Sequence, residues 1–395
     1  MPYDIAALPL SELVGPAMRA SEALVRLDER ISRSPVGTGF VARSHFADAV
    51  SALWLEGELV HVEDLVLHDA HMDQRAPTHE LTRAHEILRL RRQVLANKPD
   101  WALGRDGLVA LCGRFAAAGP MGSETQLQVP GKGSAVGGQD DEQEPEDDGL
   151  GSGSLSAELA ALDAALGRAN AVLDAALMPL APPPIGGRGA GTTGGGTDGS
   201  ARYDRSPLLY DGDWDEQERL GEWKAALAKL DGLPALLRAA VAFDAWNAIA
   251  PLQHAPWIGR LLVAALLRQA GTTTAQLAAL YLGARAIGRE RRQSRDRTTR
   301  LIAFVDSVHE SAVAGIKEHD RLMLARVQME RRLKGRRSTS KLPQLIDLVL
   351  SRPLVSSGMI EKELGVTTAG ALNLIGEFDL REITGRGRYR AWGVI

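Results

Sequence analysis

Apolar residues recur along this chain at spacings of three and four far more often than at two, the period of helices rather than strands. From Leu10 to about Phe115 several such patterns follow one another. One carries "RSHFADAVSALWLEGE" and another "HELTRAHEILRLRRQVL", the second with Thr78 or Thr82 as its cap. Then the pattern stops. Residues 119–153 mix glycine and proline with an acidic run from Asp140 to Asp148, and residues 181–202 hold almost no large apolar side chain. Neither stretch can bury enough surface to offset the entropy of ordering it, so both are predicted linkers. Between them, residues 154–180 read as a single helix. Its Leu155, Leu159, Leu162, Leu166, Leu173 and Leu177 form one stripe that needs a partner, the domain core before a self-associating zipper.

Helical periodicity returns over residues 203–337, through "PALLRAAVAFDAWNAI" and "IAPLQHAPWIGRLL" to a long arginine-rich tail. The last block, 338–395, changes character. A helix over Leu342–Ser351 stops before Pro353, and a second over Ser357–Leu364 is capped by Ser356 or Ser357. Gly365 supplies a left-handed turn. A third helix then runs from Thr367 to about Phe378. Ile360, Leu364, Val366, Leu372 and Ile375 have the spacing of a helix-turn-helix core. "REITGRGRYRAWGV" follows as strand, glycine-rich tip and strand.

Composition narrows this picture. The 395 residues suffice for two or three domains, and 45% hydrophobic with 24% charged is the balance of a globular protein. A formal net charge of -4 argues against a protein that coats nucleic acid uniformly. The average conceals a basic run of Arg331, Arg332, Lys334, Arg336, Arg337 and Lys341. Cys112 is the single cysteine; with no internal disulfide available, a reducing cytoplasm is the expected compartment and a buried apolar role the expected use. The N-terminus lacks a signal-peptide pattern, and no stretch approaches the ~20 apolar residues of a membrane span, so no membrane partner is expected.

Residues 338–395 resemble the winged helix-turn-helix domains of bacterial regulators. The resemblance implies double-stranded DNA as partner. Thr367, Thr368 and Asn373 on the third helix suit base edges and phosphates. Arg386, Arg388 and Arg390 on the wing, with Arg336, Arg337 and Lys341 on the approach, suit phosphates. The plainer readings are a hairpin that meets only protein, and a basic run that is a solvated helix end.

The stretch "RAAVAFDAWNAIAPLQHAPWIGRLLVAALLRQAG" resembles the core of Fic-fold proteins, which transfer AMP or related groups onto hydroxyl side chains. Their motif, His-Pro-Phe-x-Asp/Glu-Gly-Asn-Gly-Arg-x-x-Arg, supplies a general base, a magnesium ligand and a phosphate cradle. Here Ala250 stands at the histidine position, Pro251 is retained, and "QHAPW" replaces the glycine-rich loop one residue short. His254 falls near the acidic position, Gly259 follows, and Arg260 keeps the second arginine. "DAVSALWLEGE" resembles the Fic N-terminal helix, with Glu56 and Gly57 matching its Glu-Gly pair and Ala52 in place of the hydroxyl residue. The resemblance implies a Fic-like body over residues 203–337, with a Fic-N-terminal-like region at 1–118. It also implies that Glu56 approaches Arg260 beside a shallow pocket. Without base and cradle, no catalytic residue, cofactor or metal is expected.

As a whole the chain resembles an uncharacterised family of rhizobial-type bacteria, with a domain of unknown function followed by a helix-turn-helix; "HDAHMDQRAPTHELTRA" carries that likeness most strongly. The histidines there, His61, His68, His71, His79 and His85, lie among Asp69 and Asp73. "HDAHMD" offers only half of a metal site, so helix-end histidines are the expected reading. The chain is thus expected to be mainly α-helical, a cytoplasmic DNA-binding regulator with an inactive Fic-like body. That body is open to homodimerisation or to sensing an effector the sequence does not identify. The competing readings are a divergent nucleotidyl transferase using the altered loop, and an interaction module that never touches DNA.

Overall fold

Helix ends show how local chemistry becomes structure. Thr78 Oγ1 accepts from the Leu81 amide at 3.3 Å, so Thr78, not Thr82, caps the helix beginning at His79. Gly57 ends the preceding long helix in the left-handed region, at φ +90°. The computed structural model describes residues 3, 8–73, 76–112, 214–333, 341–378, 380–384 and 390–394. The predicted linkers at 119–153 and 181–202, the leucine-striped helix at 154–180, and Arg336, Arg337, Arg386 and Arg388 lie outside them.

The N-terminal helices are α1 (Leu10–Ser32), α2 (Gly37–Glu56), α3 (Val62–Asp69), α4 (His79–Ala96) and α5 (Arg105–Cys112). The second block gives α6 (Glu216–Ala228), α7 (Ala235–Ile249), α8 (Ile258–Gln269), α9 (Leu280–Ala284), α10 (Arg289–Arg292) and α11 (Arg297–Leu333). The last block contains α12 (Leu342–Ser351), β1 (Val355–Ser356), α13 (Ser357–Leu364), α14 (Thr368–Phe378), β2 (Arg381–Glu382) and β3 (Ala391–Gly393). The molecule is mainly helical, as the periodicity predicts.

The 37-residue α11 is the spine, about 55 Å long at 1.5 Å per residue. Leu301, Phe304, Val305, Val308, Ala312 and Leu322 bury one of its faces. It packs against α1, α2, α7, α9, α10 and α12. At Gly315 the crossing with α1 is so close that a Cβ would lie 2.5 Å from Leu27 Cδ2. Cys112 is buried with these apolar groups, and burial pushes its thiol up to about 12.

Buried polar groups join segments far apart in the chain. Arg91 of α4 is ion-paired to Asp48 of α2, both sealed from solvent. Asp48 Oδ1 also accepts from the Leu282 amide at 2.8 Å, and Arg91 donates to Leu277 O at 3.0 Å. Asp28 of α1 accepts from Thr274 N and Oγ1, each at 2.8 Å, and from Ala275 N at 3.0 Å. Arg268 at the end of α8 donates to the carbonyls of Val94 at 3.0 Å, Leu95 at 3.1 Å and Asn97 at 2.9 Å, closing the C-terminus of α4. These links and the apolar core place all the described residues in one unit, built from Met1–Met121 and Arg205–Ile395.

The C-terminal block sits on this body through α12, which packs on α2 and α11. A Cβ on Gly39 of α2 would lie 2.9 Å from Leu350 O. The three strands form an antiparallel sheet in the order β1-β3-β2, with Val355 opposite Trp392 and Glu382 opposite the same residue on the other side. Ile360, Leu364 and Ile375 are buried as the spacing predicts. Leu372 is not: it is 43% exposed. Ala371, Ile375 and Phe378 follow one helical stripe into the core, and Leu372 stands one residue, about 100°, round from it.

Candidate nucleic-acid interface

Two helices joined by a tight turn form the predicted DNA-reading element. Ser356 Oγ accepts from the Met359 amide at 3.2 Å and starts α13. Gly365 ends it at φ +63°, a conformation that a side chain resists. Thr367 Oγ1 then accepts from the Gly370 amide at 3.2 Å and starts α14. Thr367 therefore uses an acceptor position as a helix cap, which leaves its hydroxyl proton to donate outward. Thr368 and Asn373 are exposed on α14, together with Ala369, Leu372 and Gly376. The exposed face of α14 is small and chemically mixed, and its charged side chain, Glu377, stands at the C-terminal end.

The neighbouring hairpin is β2 and β3, whose connecting tip is outside the described residues. Arg390 enters β3 with its Nε donating to Glu382 at 2.8 Å across the hairpin and its guanidinium 5.2 Å from the Trp392 ring centroid. Of the arginines predicted for this hairpin, Arg390 is thus already committed to a carboxylate. Residues 342–395 carry six Lys and Arg against six Asp and Glu, so the block itself is near neutral. The positive charge lies before it. Arg331 and Arg332 are exposed on the last turn of α11, and Arg332 reaches Glu377 O at 3.4 Å, which sets that turn beside the end of α14. Lys341 is exposed immediately before α12.

The second element of interest is the α7–α8 connection, residues 250–257. Ala250 ends α7 with φ +48°, unusual for a residue with a side chain, and its carbonyl accepts from Trp214 Nε1 at 3.2 Å. Arg219 caps Ile249 O at 2.8 Å. Pro251, Leu252 and Trp257 are buried. His254 Nδ1 lies 3.0 Å from Glu216 Oε1, which also accepts from Gln253 N at 3.0 Å. Gly259 is required by contact, since a Cβ there would overlap the Trp246 indole. The first amides of α8 are all used: Ile258 N donates to Ala255 O at 3.1 Å, Gly259 N to Pro256 O at 3.4 Å and Arg260 N to Trp257 O at 3.3 Å.

The expected Glu56–Arg260 pair is not formed. Glu56 is bound by Arg83, which also holds Glu58 at 2.7 Å. Arg260 lies over the rings of Phe243, at 4.3 Å, and Tyr281, at 5.9 Å, and among the described residues no carboxylate is ion-paired to it. Its Nη1 is sealed from solvent without a hydrogen-bond partner among them. Burial, with Arg292 nearby, pushes the guanidinium down to about 10 against the pull of Tyr281 and Asp48. The physical reason is local: Arg83 on α4 reaches Glu56 first, and Gly57 has its own duty in ending α2.

Near α3, His68 Nδ1 is 2.9 Å from Asp73 and His85 Nε2 is 3.3 Å from Asp69, whose two oxygens also accept from Arg92 at 2.6 and 2.9 Å. Arg92 holds Asp69 well enough to keep its carboxyl below the ordinary range despite burial. Among the described residues no group of His, Cys, Asp and Glu is placed to hold a metal ion. Sequence reading missed Arg43 and Arg321 altogether. Arg43 of α2 pairs with Glu318 at 3.0 Å and donates to the carbonyls of Val349 and Arg352. Arg321 pairs with Glu318 at 2.7 Å and donates to Val394 O at 2.7 Å. Arg321 has Glu318 three residues before it on the same helix, but nothing local marks Arg43, whose partners are about three hundred positions away.

Architecture and interface define the class: a mainly helical protein with a C-terminal helix-turn-helix domain. Residues 342–395 match the family described as "HTH DNA binding domain", and residues 208–334 match "Protein of unknown function (DUF1612)". The chain is 47% identical over 396 residues to "Uncharacterized protein y4cF" of Sinorhizobium fredii (strain NBRC 101917 / NGR234), across 100% of both chains. The chain belongs to the family of that protein. No helix among the described residues is long and apolar enough to cross a membrane.

Proposed function

We propose that this protein is a DNA-binding transcriptional regulator whose helical body performs no nucleotidyl transfer. The observation that carries the reading is the exposed face of α14, where Thr368 and Asn373 stand free of the core while Ala371, Ile375 and Phe378 anchor the helix behind them. In this reading α14 enters the major groove and the β2–β3 hairpin acts as a wing along the flanking backbone. Arg331, Arg332 and the basic run up to Lys341 supply the phosphate contacts that the near-neutral block lacks. The α7–α8 connection supports the inactive body. Ala250 has no base to offer, and the α8 amides that would cup a phosphate already serve loop carbonyls.

The test is a titration of the full chain into labelled duplex DNA at several salt concentrations. The affinity is expected to fall steeply with salt, by a logarithmic slope of about 0.9 per phosphate contacted. Arg331→Gln with Arg332→Gln should reduce that slope on every sequence alike. Asn373→Ala should change the ranking of sites recovered by genome-wide binding and leave the slope as it was. Absence of binding at low salt would reject the reading.

A further inference from the structure

Against the body face of the C-terminal domain lies a cavity of about 570 Å³, within the range of small-molecule sites. Leu24, Leu27, Phe40, Val60 and Ala279 give it apolar walls, and Trp54 and Leu59, both exposed, stand on its rim. Its charged groups are balanced. Arg43 is paired with Glu318, and Arg285 stacks on Trp54 at 4.9 Å, with Glu63 also on the lining. One polar group in the wall is unsatisfied. Gln276 is 2% exposed, and its Nε2 has no hydrogen-bond partner among the described residues. A buried amide donor left in that state is costly; Gln276 lines the cavity, and a turn of its side-chain amide would offer that donor to an acceptor bound there.

The same wall touches the DNA-reading domain. Pro353, between α12 and β1, lines the cavity directly. Arg43 holds the carbonyls of Val349 and Arg352 at the end of α12, and its partner Glu318 orients Arg321, which holds Val394 O after β3. One charged cluster, with Arg43 and Glu318 in the cavity wall, therefore holds the end of α12 and the residue after β3.

We propose that this cavity binds an uncharged, largely apolar small molecule carrying a carbonyl-type acceptor, and that the C-terminal domain senses its occupancy through Arg43 and Glu318. The apolar walls and balanced charges exclude an ionic ligand as the natural occupant, and Gln276 Nε2 selects the acceptor. The second half of the proposal rests on the DNA-binding reading above; the first half does not.

Prodan, an uncharged naphthyl ketone whose emission reports polarity and hydrogen bonding, is a suitable probe. Titrated with the full chain it should bind with a blue shift. Gln276→Leu should weaken binding by roughly twofold to tenfold, the worth of one neutral hydrogen bond, and shift the emission further to the blue. Ala47→Phe and Ala314→Phe, which fill the cavity from α2 and α11, should each abolish binding while retaining a cooperative melt; two independent variants guard against a misfolded one. Prodan binding indifferent to all three variants would overturn the site. In a second arm, saturating prodan should change the affinity for duplex DNA by roughly fivefold or more, and DNA should change the affinity for prodan by the same factor. Arg43→Gln should remove that reciprocity. Prodan bound at the site without any effect on DNA affinity would overturn the linkage. A chain that binds prodan but no DNA would reject the regulator reading and leave the site standing.

Discussion

Two of the helix-loop-helix elements among the described residues treat their loops in opposite ways. Between α7 and α8 the connection is folded inward. Trp257 is buried, Tyr281 bonds its carbonyl, Trp246 lies against Gly259 and bonds Pro256 O at 3.0 Å, and the opening amides of α8 are consumed. Between α13 and α14 the connection is folded outward, with Gly365 and Thr367 exposed and small polar side chains standing beyond them. A helix N-terminus is a recognition device only when its first turn faces solvent. The inward element spends its helix start and its Trp257 on the core; the outward one presents a surface.

This contrast can be broken by measurement. The largest effect belongs to the sealed element: Trp246→Ala should cost ~3–5 kcal/mol in urea denaturation, because the indole is 1% exposed and packs edge-to-face on Trp223. A loss below ~1 kcal/mol would mean that the loop is not sealed by packing. Next comes pH. Burial, with Arg91 and Arg92 close by, holds His45 well below its ordinary value, so the folded chain declines a proton that the unfolded chain accepts. Stability should therefore be fully present above about pH 6.5 and fall as the pH drops, by up to ~1.4 kcal/mol per unit for this one group. His45→Leu should flatten that slope. In the open element, Thr367→Ala should cost only ~1 kcal/mol, the worth of a cap. The smallest effect is the most pointed: the double-mutant cycle of Glu56→Gln with Arg260→Met should show coupling within ~0.5 kcal/mol. Arg260→Met alone should be neutral or stabilising, since it removes a partly buried cation that has no ionic partner among the described residues. Coupling of several kcal/mol would restore the expected pair.

What was legible in the sequence follows the range of the interaction responsible. The bounds of α12 and α13 agree with the residues read from Pro353, Ser356 and Gly365, each of which acts within a turn. Thr78 acts over the same distance. Leu372 shows the first limit, because a leucine on a short helix has the right chemistry for either face and Ala371 takes the inner one. β1 was invisible for another reason: two residues have no period, and Val355 is a strand only because Trp392 lies beside it. The site was hardest to read where it depends on ionic partners. Glu56 and Arg260 stood in positions that a motif would pair, yet Arg83 was nearer to one and two aromatic rings to the other. Arg43 carries no signal in its own neighbourhood at all.

Arg268 has a consequence for inheritance. The segment matched as a family, 208–334, contains Arg268, while the three carbonyls it serves belong to α4 and its end, well outside that segment. A recombination event that carried 208–334 into another gene would strand the guanidinium and open the end of α4 in the parent at the same time. The recurring sequence segment is therefore not the portable piece of this molecule. What can be handed on intact is the pair of segments together, and relatives that keep one are expected to keep the other.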